Sequence, residues 1–424
     1  MVFLPFFTVL IMFLVYQVKN RFYFGVVSYL LSIYLASFFC SIVLNEVFDY
    51  SKSFDLDTEA MLYFSALVFI LLSGFTSFKD SDVECISLDN FRVLQIVEWL
   101  MIPLSLFALL FFAMSAAIAL AGDVESNRNM IASGGVSYVE QYGVINTICS
   151  LIANLFLLNM LFAFLNLSEG YPGSRLKAFV HLLCSTVYIF YILSYVGRDG
   201  FVYWAMSLGF FLLFFREFMP KRNILLLVVC AAGLAVPALL VFIKITISRF
   251  GGEGSSEVLG ALLDYAGQQI FHFSEHYLVD APPLGGKMDF APVSVLKASL
   301  FGEVYEPFDR EAWFSIYLDK GVTPWVFTTV IGSFLHDFGR IGCIVAIVLI
   351  FFLIRILLYG VKVSGIFKLS ELIMFILMFQ VVSWGVFYYR QYSAFFYIVA
   401  MLLLFLFFKL SGGTKTLLIF KVEK

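Results

Sequence analysis

Charge is what this 424-residue chain has least of: Asp, Glu, Lys and Arg together make up 13% of it, with a net charge of −3. A soluble domain carries about twice that share, so the chain is not built to face water on all sides. No basic patch offers itself to a nucleic acid, and no such partner is expected. The six cysteines, Cys40, Cys85, Cys149, Cys184, Cys230 and Cys343, are scattered, mostly in apolar runs. None lies between Arg249 and Trp325, which excludes a disulfide scaffold there. There is no P-loop and no dinucleotide fingerprint, and no cofactor is expected. Met1-Val2-Phe3-Leu4-Pro5 lacks a basic n-region, so it reads as the start of a first membrane helix, not as a cleaved leader.

Apolar residues fill the space that charge leaves, at 62% of the chain and a mean hydropathy of +0.95. The 52 Phe and 22 Tyr read mostly as lipid-facing bulk and interface anchors. With roughly twenty apolar residues as the length of one crossing, the chain is expected to be an all-α polytopic membrane protein of about eleven spans. They fall near Val2–Val18, Phe22–Leu44, Ala60–Phe78, Ile96–Ala121, Val144–Leu167, Lys177–Val196, Phe201–Phe215, Ile224–Ile247, Ile341–Leu358, Leu369–Tyr388 and Ser393–Phe408. Residues 1–247 then hold spans one to eight. Residues 248–325 form one large loop, and residues 326–424 hold spans nine to eleven after a short re-entrant or interfacial segment, Val326–Leu335. Basic residues cluster in alternate loops, among them Lys19, Arg21, Arg175, Lys177, Arg216, Lys221, Arg222, Lys362 and Lys368. The positive-inside rule places those loops in the cytoplasm, the N-terminus outside and the C-terminus inside.

The large loop therefore faces out. At about 75 residues it is too long to be structureless, and Leu259–Leu278 reads as an amphipathic helix within it. No internal repeat is apparent, which weakens a transporter reading.

Two polar islands stand out at the outer edge: Gly197-Arg198-Asp199-Gly200, and Phe334-Leu335-His336-Asp337-Phe338-Gly339-Arg340. Charges at the edge of hydrocarbon need partners and mark sites by default. Arginine stays charged at any pH and grips phosphate through two parallel hydrogen bonds. Arg198, Arg249, Arg340 and Arg390 are candidates for an anion, or equally for anchors in lipid headgroups. His336 offers a base near neutrality, and Asp337 offers either a base or a complement to a helix dipole. His272-Phe273-Ser274-Glu275-His276 matches the inverted zinc-protease pattern H-x-x-E-H, although a base or sugar contacts at the mouth of a membrane site suit it better. Asp55-Leu56-Asp57 reads as a solvated acidic loop. Glu98, His181, Lys244 and Glu371 lie near the ends of apolar runs, where snorkelling accounts for them.

Ser194-Tyr195-Val196-Gly197-Arg198-Asp199-Gly200 resembles the arginine between small residues that opens an outer helix in the oligosaccharide repeat-unit polymerases of bacterial O-antigen synthesis, the Wzy type. Asp199 stands where that family commonly has a small residue. Val326-Phe327-Thr328-Thr329, Gly332-Ser333-Phe334 and Asp337-Phe338-Gly339 resemble the family's segment after its long loop. The resemblance extends to the whole architecture and implies a GT-C-like fold in the bacterial inner membrane, with the N-terminus and the large loop periplasmic. It implies a glycosyltransferase that moves a growing glycan from undecaprenyl diphosphate onto the next lipid-linked unit. Its partners would be that lipid-linked oligosaccharide, membrane lipids and a chain-length regulator, with no metal. Arg198, Arg249 and Arg390, with Arg340, would bind the diphosphate. His336 or Asp337 would be the base, with Glu275 or His276 as the second choice, and Asp199, His272 and Tyr389 would contact substrate. An O-antigen ligase and a lipid-linked oligosaccharide flippase are the alternatives. The flippase would show a charged lumen inside the bundle.

Overall fold

The computed structural model describes residues 1–50, 54, 56–121, 127, 139–250, 255–288, 291–306, 308–324, 326–387, 391–410 and 416–422. Its main helices, in chain order, are α1 (Phe3–Lys19), α2 (Val26–Phe48), α3 (Thr58–Ser73), α4 (Phe91–Ala121), α5 (Val144–Asn154), α6 (Phe156–Leu167), α7 (Arg175–Ser185), α8 (Val187–Leu193) and α9 (Asp199–Phe215). They continue with α10 (Lys221–Phe250), α11 (Ser255–Gly267), α12 (Gln269–Leu278), α13 (Ala291–Phe301), α14 (Arg310–Leu318), α15 (Thr329–Ser364), α16 (Leu369–Trp384) and α17 (Gln391–Leu410). Among the described residues five helical stretches are long and apolar enough to cross a membrane, or six if the bent pair α5–α6 counts as one. The protein is thus a helical, membrane-type chain, as its hydropathy predicts.

Several expected single helices are broken. Val144–Leu167 bends by 43° between α5 and α6. Lys177–Val196 divides into α7 and α8 at Thr186, where the Ser185 and Thr186 hydroxyls donate back to the Leu182 and Leu183 carbonyls at 2.6 and 2.7 Å. Such local bonds compete with the helical ladder. Leu259–Leu278 is two helices, α11 and α12, parted at Gln268. From Thr329 onward the segment Val326–Leu335 is helical and forms the first half of α15, which a kink at Gly339 parts from the rest. A short sheet was not expected at all. Strand β1 (Cys85–Leu88) pairs parallel with β2 (Ile366–Lys368) and antiparallel with β3 (Leu417–Phe420).

The chain divides into two compact units. The first comprises Met1–Lys79, Leu259–Val363 and Leu377–Phe395. In it α1 packs on α2 and α3, and the Tyr16 hydroxyl donates to the Phe78 carbonyl at 2.8 Å. Of the loop helices, α11 and α12 lie directly on this bundle. A Cβ on Gly267 would sit 2.5 Å from the Ser41 amide nitrogen, so only glycine lets α11 meet α2 there. The Ser37 and Ser41 hydroxyls close the contact by donating to the carbonyls of Ala266 and Gly267 at 2.7 and 2.6 Å. Phe273 of α12 rests on Phe64 of α3, ring centroids 4.7 Å apart.

The second unit comprises Asp80–Val258, Ser364–Ile376 and Phe396–Lys424. Its centre is α6, all 12 residues of which are buried. Phe164, Phe211 and Phe215 are fully buried there, ring on ring. These phenylalanines fill helix contacts instead of facing lipid, because a bundle this apolar needs shape as well as greasiness to pack.

Candidate functional site

The sharpest local feature of the first unit is the break in α15. Gly339 has φ 68° and ψ −178°, a conformation essentially confined to glycine, and splits α15 into Thr329–Phe338 and Arg340–Ser364. A helix end leaves carbonyls without partners. Here a turn of the large loop takes them: the Leu284 amide donates to the His336 carbonyl at 3.1 Å and the Gly285 amide to the Asp337 carbonyl at 2.7 Å. The other end of this half-helix is pinned too, with the Thr329 and Val330 amides donating to the carbonyls of Phe387 and Gly385, both at 2.8 Å.

This mounting directs His336 and Asp337 to different partners. Asp337 is fully buried, and its carboxylate accepts the Met288 amide at 3.1 Å, which ties down the loop turn. His336 turns to α12, where its Nε2 lies 2.9 Å from Nδ1 of His276. The second nitrogen of His276, Nε2, lies 2.9 Å from the Thr323 carbonyl. A carbonyl only accepts, so Nε2 of His276 carries the proton and Nδ1 holds a lone pair. Nε2 of His336 must then donate to it, which leaves Nδ1 of His336 as the accepting end of the chain. Burial lowers the His276 imidazole from 6.5 to about 4; the Thr323 carbonyl opposes this shift and nearby His272 adds to it, so the ring is neutral and this tautomer order holds. Trp313 and Tyr317 of α14 wall the pair, their ring centroids 5.0 and 5.9 Å from His336.

The H-x-x-E-H motif divides between two neighbourhoods. His276 has both ring nitrogens engaged with protein groups and keeps no lone pair for a metal. His272 instead pairs with Glu275 at 3.4 Å and lies edge-on to Phe54. Tyr50 donates its hydroxyl to Asp264 close by, and burial raises the Asp264 carboxyl against the pull of Tyr50 and His272. Among the described residues no cluster of three or more His, Cys, Asp and Glu is arranged to hold a metal ion.

Arg340 is engaged locally. Nη2 donates to the Tyr277 carbonyl at 2.9 Å, Nη1 lies 3.6 Å from Glu59, and the guanidinium carbon sits 4.0 Å over the Tyr277 ring. The Tyr277 hydroxyl donates to Glu59 at 2.6 Å and is pushed up to about 12, first by burial and then by that carboxylate. Beside this cluster Asp57, expected to be solvated, caps α3 through the Ala60 amide at 2.9 Å, and its own amide donates to the Ser274 hydroxyl. Asp55 lies outside the described residues.

An open cleft of about 460 Å³ adjoins the turn that holds α15. Leu284 and Gly285 form part of its wall, with Lys287, Lys297, Glu303 and Tyr305.

The other island belongs to the second unit. Arg198, 8% exposed, is the residue before α9, and Asp199 opens that helix, where a carboxylate complements the dipole. The flanking glycines serve packing: a Cβ on Gly197 or Gly200 would lie 2.7 Å from Ile192. Arg249 lies near the end of α10, and its side chain is outside the described residues. Tyr389 and Arg390 lie outside the described residues. The structure thus joins His336 to His276 and parts His336 from Asp337. Pairing across 60 residues leaves no mark in the sequence beyond the rarity of histidine, four in 424 residues.

Glu98 and His181, expected to snorkel, do not: Glu98 is 1% exposed and His181 is fully buried, inside a connected polar network of the second unit. Compared with protein-family models, with curated proteins and with solved structures, the chain finds no match.

Proposed function

We propose that the protein polymerises lipid-linked oligosaccharide repeat units of a surface polysaccharide at the outer face of the bacterial inner membrane. The observation that carries the reading is the chain from the Thr323 carbonyl through His276 to His336, mounted on a broken helix whose end is held by the loop turn that lines an open cleft. In this reading a sugar hydroxyl of the acceptor unit gives its proton to Nδ1 of His336. Its oxygen bonds to the anomeric carbon of the donor while the bond from that carbon to the diphosphate oxygen breaks. The proton moves onto a ring whose other nitrogen is held by His276, so the ring is already oriented. The departing diphosphate gathers negative charge, which preorganised arginines stabilise. Arg198, Arg249 and Arg390 carry that role from the sequence. Arg340, engaged with Glu59 and Tyr277, is assigned to holding the loop.

The eleven spans, the GT-C-like arrangement, the periplasmic N-terminus and the chain-length regulator belong to the same proposal. It is supported by the apolar helices and by a long loop that folds onto its own bundle. The test is the banding of surface polysaccharide from cells with the intact gene, with the gene deleted and with His336→Ala. Collapse of a ladder to core plus one unit in both altered strains is the expected result. Bare core would point to ligation or flipping instead, and an unchanged ladder would overturn the reading.

A further inference from the structure

The second unit buries a polar network that the reading above does not use. Its spine is α6, whose Asn159 and Asn166 are 0% and 6% exposed. A buried amide left unsatisfied costs about 1–3 kcal/mol, so each must find partners. Asn166 donates through Nδ2 to Glu98 of α4 at 2.7 Å and to the Phe162 carbonyl at 2.8 Å, and accepts the Ser174 amide at 3.2 Å. Tyr171 donates its hydroxyl to the other Glu98 oxygen at 2.9 Å. Asn159 donates to the Ser105 hydroxyl at 2.8 Å and turns its carbonyl oxygen to Nδ1 of His181, 3.0 Å away.

This order fixes the tautomer of His181. Its Nδ1 must carry the proton for Asn159, so a neutral ring has its lone pair on Nε2. That nitrogen is buried and has no hydrogen-bond partner, and it lies 3.8 Å from Oε1 of Glu98. Two acceptors therefore face each other in a buried site, while the Asn159 and Asn166 amides and the Tyr171 hydroxyl are hydrogen-bonded. One proton between them turns this contact into a donor and an acceptor, and pairs any charge it creates.

We infer that Glu98 and His181 form a binding site for a single proton inside the second unit, entered past Lys177. Lys177 stands at the rim with a quarter of its side chain exposed, 3.8 Å from Glu98 and 4.4 Å over the Trp99 ring. Around the pair stand Trp99 and Ser105 of α4, Asn159, Phe162 and Asn166 of α6, Lys177 of the same helix as His181, and Tyr171 from the connection between them. From α10, Asn223 reaches the rim through Arg175 at 3.1 Å. The proton comes from water and no other bond changes. Lys177 disfavours a metal cation in the same place by like charge. The inference stands apart from the polymerase reading, since it concerns no sugar and no residue assigned to transfer.

The chain has only four histidines, so its imidazole nitrogen-15 spectrum is sparse enough to read residue by residue. The experiment uses the full chain in detergent micelles, labelled at histidine, with the His181 signal assigned by replacing each of the other three in turn. The Nε2 signal of His181 should move as the pH is lowered from about 9 to about 4. In Glu98→Gln the midpoint should shift toward acid by at least about tenfold in proton concentration. In Lys177→Gln, a rim change that leaves the buried residues in place, it should shift the other way. A signal that never moves overturns the inference. So does an unchanged midpoint in Glu98→Gln or, if that variant does not fold, in Lys177→Gln.

Discussion

His336 and His276, 60 residues apart in the chain, share one hydrogen bond of 2.9 Å, and the only proton order that satisfies the Thr323 carbonyl makes His336 the donor. Under the proposed function His336 touches the reacting hydroxyl and His276 orients it. His336→Ala should lower the polymerisation rate by about 10²–10⁴-fold. His276→Gln should lower kcat more than it raises KM, and should shift the acid limb of the pH–rate profile. Purified enzyme with lipid-linked units would measure both. Equal loss of kcat and gain of KM in His276→Gln would speak against an orienting role.

The same ring makes stability depend on pH. His276 titrates at about 4 in the fold, against 6.5 when unfolded. Between those values the unfolded chain binds more protons, so stability rises with pH across that window. The contribution is complete above about 6.5 and is lost as the pH falls toward about 4, amounting to about 3 kcal/mol. Apparent melting temperature in detergent, measured from about pH 8 to about pH 4, should fall on the acid side, and fall less in His276→Gln.

Gly339 holds a backbone conformation that other residues adopt at a cost of about 1–3 kcal/mol. Gly339→Ala should either lower the melting temperature by that equivalent or straighten α15, which would pull His336 and Asp337 from the Leu284 and Gly285 amides. Limited proteolysis around 280–290 would report the second outcome as faster cutting.

At Gly267 the constraint is space. With the Ser41 nitrogen only 2.5 Å from where a Cβ would sit, Gly267→Ala must push α11 off α2 and break the Ser37 and Ser41 bonds. A loss of about 2–3 kcal/mol follows from overpacking. Gly233, a helical glycine with open space around its missing Cβ, is the control for crowding.

Two arginines should behave differently. Arg198→Ala should abolish polymerisation while membrane insertion stays intact. Arg340→Ala removes a half-exposed ion pair worth no more than about 1 kcal/mol and should leave most activity. If Arg340→Ala alone abolished chain growth, the assignment of Arg340 to the loop would fall.

Membrane character, the helical class and most helix positions were legible in the sequence, because each span is a contiguous run of apolar residues and hydropathy is a local sum. The folding of the long loop was legible too, from its length. Breaks at Leu155, Thr186 and Gln268 were not, since an apolar window reads through a bend that costs one or two hydrogen bonds. The three-residue β2 and the four-residue β1 and β3 fall below any window tuned to a membrane crossing. What the sequence by itself determined is which residues are rare and polar in an apolar chain: His276, His336, Glu98 and His181 among them. Which of these meet was decided by the tertiary structure alone. Neighbours in sequence, His336 and Asp337, were sent to separate partners by the helix that carries them, while His276 and Glu98 were brought to theirs across 60 and 83 residues by packing. Hydropathy records whether a side chain is costly to bury, and only the fold supplies the partner that lowers the cost.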